Sequence, residues 1–89
     1  MSNKEQIKNA IQYLGNRGHS YEPEDIIKAQ RIGDYFFIHF KDEHEVDLYN
    51  ITNFYGECEN SFDAKKFKWN DTYMRKCVTG EIYQWQYKD

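Results

Sequence analysis

Leucine and valine are nearly missing from this chain: two of each in 89 residues. A core built mainly from leucine and valine is therefore excluded, and the apolar interior has to come from isoleucine and from rings, which make up 18% of the sequence. Proline occurs once and the five glycines are dispersed. That excludes a collagen-like or proline-rich chain and leaves no glycine-rich loop of the kind that cradles phosphates. Only two cysteines are present, Cys58 and Cys77, too few for a disulfide scaffold. Eighteen residues separate them, which matches no standard zinc spacing, and adding His39 and His44 gives no reason for convergence. Neither cysteine has a histidine close by to serve as general base, so both read as inert thiols. No apolar run approaches the roughly 20 residues of a membrane-spanning helix. The first residues, MSNKEQIKNAIQ, are polar and lack the apolar centre of a signal peptide, so the expected location is cytoplasmic.

At this length one domain is expected, with a thin stability margin. Charged residues are 30% of the chain and the net charge is only −3, but the layout is uneven. Between Asp42 and Asp63 there are seven carboxylates and no lysine or arginine. Lys65, Lys66, Lys68, Arg75 and Lys76 then follow within fifteen residues, opposed by Asp71 alone. Asymmetry of this kind marks either a partner surface or two solvated faces.

Ser2 and Glu5 stand at capping-box spacing, and Ile7, Ala10, Ile11 and Leu14 repeat at helical intervals. These predict a helix over 4–14, closed by a left-handed Gly15. Pro23 predicts a short turn, followed by a strand over 26–32. Residues 35–40 (YFFIHF) are the clearest strand, and 45–49 (EVDLY) alternate with period two. Residues 26–50 thus read as an antiparallel meander. Its inner face is expected to carry Phe36, Ile38, Phe40, Val46 and Leu48 beneath the helix, with Tyr35, Phe37, His39, Glu45, Asp47 and Tyr49 opposite. Residues 52–61 read as a loop, 67–69 as a short strand, and 73–78 as helix or strand alike. Thr79-Gly80 reads as a turn into a C-terminal strand over 81–87. The expected fold class is α+β: an N-terminal helix packed on a twisted antiparallel sheet.

No nucleophile elbow, phosphate loop or paired-histidine helix is present, and no cofactor or metal is implied. Asp47, Asp63 and Lys65 echo the acid, acid-x-lysine layout of metal-dependent nucleases, but three residue types at loose spacing arise readily in so charged a chain. The expected function is a non-enzymatic protein-binding module. Its partner would be a larger protein with a basic groove, such as a nucleic-acid effector, by analogy with the small acidic anti-defence inhibitors of phages, anti-CRISPR proteins among them. Glu45, Asp47, Glu57 and Glu59 would steer the encounter, and Tyr49 and Tyr55 would anchor it. The alternative is a nucleic-acid-binding module using Lys65, Lys66, Lys68, Trp69 and Arg75, in which cations hold phosphates and rings stack on bases. A third reading is a small ligand held in an aromatic pocket near Tyr83 and Trp85. A homodimer through Tyr35 and Phe37 or a free sheet edge is compatible with each.

Overall fold

The computed structural model of the chain describes residues 2–83. Helix α1 (Asn3–Gly15) leads into a short 3-10 turn (Pro23–Asp25). Strands β1 (Ile26–Ile32), β2 (Tyr35–Phe40), β3 (Glu45–Asn50) and β4 (Cys58–Asp63) follow, and then helix α2 (Asp71–Thr79). The sheet runs in chain order, β1-β2-β3-β4, with every pair antiparallel. The expected α+β class is what is found.

Local chemistry accounts for each boundary. The Ser2 side chain accepts the Glu5 amide at 3.2 Å and caps α1. The left-handed residue that ends the helix is Gly18 (φ 88), not Gly15, which stays helical. His19 N donates to Leu14 O and Gly18 N to Gly15 O, a Schellman closure one turn later than expected. Asn50 and Asn53 run the chain out of β3. Asn70 caps α2 by accepting the Tyr73 amide at 2.9 Å. Gly80 (φ 86) closes it with the same pair of bonds, from Glu81 N to Lys76 O and from Gly80 N to Cys77 O. Thr79-Gly80 is therefore a helix terminus and not a hairpin turn. Of the expected C-terminal strand, residues 81–83 are irregular, and the remainder lies outside the described residues.

The sheet is covered on both faces, which the sequence reading did not anticipate. On one side α1 lays Ile7, Ala10, Tyr13 and Leu14 over Ile26, Ala29, Phe36, Ile38 and Tyr49. On the other, Phe67 and the α2 residues Met74 and Cys77 pack on Ile32, Phe37, Val46, Leu48 and Phe62. The expected assignment of faces needs correction here. The β2–β3 register pairs Phe36 with Tyr49, Phe37 with Leu48 and Ile38 with Asp47. Cross-strand partners share a face, so Val46 and Leu48 belong with Phe37 under α2, while Asp47 and Tyr49 belong with Phe36 and Ile38 under α1. The alternation within each strand was right, but the register between strands was off by one, and a one-residue slip exchanges every side chain. A bulge at Ile27 does the same in β1, putting Ile26 and Ala29 on one side.

Two further segments differ from expectation. Residues 58–63 are the fourth strand rather than the end of a loop, with Val46 opposite Phe62 and Asp47 opposite Ser61. Residues 67–69 are not a strand. Phe67 is buried and touches Phe37, Phe62, Trp69 and Tyr73, so this segment plugs the α2-side core with a ring. Phe37 itself is fully buried, so the Tyr35–Phe37 face is covered by α2 and is not an open dimer surface.

Candidate functional site, an aromatic loop at the end of the sheet

Between β3 and β4 the chain makes two successive turns, Asn53 N to Asn50 O at 2.9 Å and Gly56 N to Asn53 O at 3.3 Å. Side chains of the same asparagines fix both. Asn50 Oδ1 accepts the Thr52 amide at 2.9 Å and its hydroxyl at 2.7 Å. Asn53 Oδ1 accepts the Tyr55 amide at 3.0 Å, and its Nδ2 donates to Glu57 O at 3.2 Å and to Glu59 Oε1 at 3.3 Å. These are local asparagine turns, which the backbone adopts without help from tertiary packing.

Tertiary contacts then pin the loop to the end of α1. Arg17 donates from Nε to Asn53 O and from Nη2 to Ile51 O, both at 2.9 Å, and from Nη1 to Tyr13 O at 3.3 Å. Its guanidinium lies over the Tyr13 ring, 4.3 Å from the centroid. Tyr13 donates its hydroxyl to Asn50 O at 2.7 Å, and His19 Nε2 donates to Tyr55 O at 2.9 Å. Gly56 is buried with φ 64, and a Cβ there would stand 3.0 Å from Arg17 Cδ. Only glycine lets the arginine lie flat against this turn.

The product of this bracing is a pair of rings held in water. Phe54 is 80% exposed and Tyr55 64%, and they meet edge to face with centroids 5.2 Å apart. Glu57 and Glu59, both exposed, flank them.

The other residues singled out from the sequence are dispersed. Tyr49 is buried in the α1-side core, where removal from water raises its phenol well above the ordinary range, and so it is no surface anchor. Glu45 sits at the opposite end of β3, paired in register with Asp63. Asp47 is half-buried mid-strand. Withdrawal from water, and then the charge of Glu43, push its carboxyl up to about 6 against a hydrogen bond from Cys58. Cys58, on the edge strand, donates from Sγ to Asn60 O at 2.8 Å. Loss of water contact on its sheet side and the Asp47 charge hold its thiol up at about 12. Burial alone takes Cys77, on the core face of α2 and so across the sheet from Cys58, to about 12. The acidic stretch is thus two groups, one at each end of β3, and not one surface.

Lys65, Lys66, Lys68, Arg75 and Lys76 are all exposed around α2. The rings meant to work with them are otherwise engaged. Phe67 is core, and Trp69 is half-buried between Phe67 and the Lys28 ammonium, 5.2 Å from its ring. Tyr83 folds onto Gly80, where a Cβ would collide with it, and Trp85 lies outside the described residues. Among the described residues no three histidine, cysteine or carboxylate side chains gather in a metal-binding group, and no helix is long and apolar enough to cross a membrane.

The sequence points to Tyr55, Glu57 and Glu59 and to Phe54 as an aromatic beside them that could equally complete the core, but it gives no sign of Arg17 or His19. The signal for the loop was present, in Asn50, Asn53 and Gly56 at three-residue spacing. Nothing local ties Arg17 to a loop more than thirty residues away. Comparison with protein-family models, with curated proteins and with solved structures gives no match.

Proposed function

We propose that this chain is a non-enzymatic protein-binding module whose contact surface is the β3–β4 loop. One observation carries the reading: two large rings face water on a loop that eight side-chain hydrogen bonds hold in place. Burying an exposed ring on a partner recovers apolar surface, and a loop already ordered loses little further entropy on binding. Aromatic anchors bordered by charge are the usual composition of interface hot spots. Glu57 and Glu59 give the loop a negative border, so the partner that fits is a larger protein with an apolar pocket set in a cationic groove. A nucleic-acid channel of an effector, as in inhibition by the phage anti-defence proteins, has that character.

The test is affinity capture from a lysate of the source organism. It compares the wild type with Phe54→Ala/Tyr55→Ala and with Glu57→Lys/Glu59→Lys, after circular dichroism shows all three folded. The expected result is a protein retained by the wild type and lost by both variants, with retention weakening as salt rises. The same protein retained equally by all three contradicts the reading.

A further inference from the structure

Along the flank of α1 that faces the β1–β2 turn runs a groove of about 830 Å³. One wall is a row of carboxamides, Gln6, Asn9, Gln12 and Asn16. The other wall holds Arg31 and Gly33, Arg17 closes one end, and the floor is Tyr13, Phe36 and Ile51. Among the described residues no carboxylate lines this groove.

Three features restrict what the groove takes. Its fixed charges are both guanidinium groups, so the ligand is anionic. Arg17 is occupied with the carbonyls of Tyr13, Ile51 and Asn53, whereas Arg31 is exposed and, among the described residues, bonds through Nε alone, to Gly33 O at 2.7 Å. Arg31 is therefore the group with donors to spare for a phosphate. Among the described residues no other side chain holds the carboxamides of Gln6, Gln12 and Asn16, and each offers a donor and an acceptor together. That pairing matches the hydrogen-bonding edge of a nucleobase. At 1.5 Å per residue, the row from position 6 to position 16 spans roughly 15 Å, which is longer than a phosphate ion alone.

We propose that this groove binds a nucleoside phosphate, with the phosphate on Arg31, the base edge on the α1 carboxamides and the flat ring against the half-buried Ile51 at the floor. The unit is either a free mononucleotide or one residue of a single strand. This goes beyond the protein-binding reading and does not depend on it.

The experiment is an amide and side-chain NMR titration of the full chain with AMP, GMP, CMP and UMP. Inorganic phosphate, the free nucleosides and a five-nucleotide single strand are run alongside. At least one mononucleotide should saturate and shift the carboxamides of Gln6 and Gln12. Arg31→Gln should weaken it about tenfold or more, as loss of a charged hydrogen bond does. Gln12→Ala should weaken it less, and both variants change exposed residues, so the fold is kept. Phosphate or nucleoside alone should bind at least about tenfold more weakly. Tighter binding of the single strand, with the same response to Arg31→Gln, identifies a polymer as the source, and equal binding identifies the free nucleotide. Phe54→Ala/Tyr55→Ala should leave the titration unchanged, which separates this site from the loop. Failure of every mononucleotide to saturate at millimolar concentration overturns the proposal, and so does binding that ignores Arg31→Gln.

Discussion

Asp47 is a carboxylate in a place that favours its neutral form. It lies half-buried between strands, with Glu43 near enough to repel it, and titrates at about 6 instead of 3.8. The folded state therefore holds this proton more tightly than the unfolded chain. Its contribution to stability is whole below about pH 4 and is lost as pH rises through 6. Asp47→Asn should thus raise stability at pH 7.5 by about 1–2 kcal/mol, allowing for solvent screening of a half-exposed group. The variant should also be less sensitive than the wild type between pH 4.5 and 7. Urea denaturation across that range measures both, and equal pH profiles for the two proteins would show that Asp47 is not strained. Gly56 is the second residue whose chemistry is set by one neighbour. Gly56→Ala forces a left-handed alanine against Arg17, at a cost of about 1–2 kcal/mol. It should also raise amide exchange through residues 51–56, while exchange in β2 changes only by the global amount.

At the level of elements, much was legible in the sequence where the pattern was local. The α1 stripe, the Pro23 turn, and the strands at 26–32 and 35–40 stand where periodicity and turn residues put them, and the strand expected at 45–49 runs one residue further, to Asn50. What failed was non-local. The face of β3 depends on its register with β2, and no residue within β3 carries that information. Strand β4 (CENSFD) offers only Phe62 as a buried apolar residue, so it reads as polar loop until Val46 is placed opposite. Helix α2 is short, and the i, i+3 spacing of its core residues Met74 and Cys77 is helical but too brief a pattern to stand out from the flanking Tyr73 and Val78. Phe62 supports these late elements, being fully buried and in contact with Phe37 and Phe67. Phe62→Ala should cost about 3–5 kcal/mol. Thermal denaturation followed by near-ultraviolet circular dichroism reads that loss, and a cost below about 1 kcal/mol would mean that β4 and α2 are not held through this ring.

As a whole, the molecule is a sheet wedged between two helices, with extents of 29 × 26 × 25 Å. Both faces of that sheet are covered, so its residues are spent on stability, and binding is left to the ends and flanks. One end carries the ring pair with Glu57 and Glu59, and the region around α2 carries the lysines. The candidate site was only partly legible for the same reason as the fold. Tyr55 and its acids were visible as composition, but the choice of Tyr55 over Tyr49 needed burial, and the rigidity of the loop needed Arg17. A photo-crosslinking residue placed at position 54, and separately at position 66 near α2, tests the central claim most directly. Crosslinks to one protein from position 54 and none from position 66 are predicted. Crosslinks from position 66 alone, or from neither, would contradict the assignment of the β3–β4 loop as the binding surface.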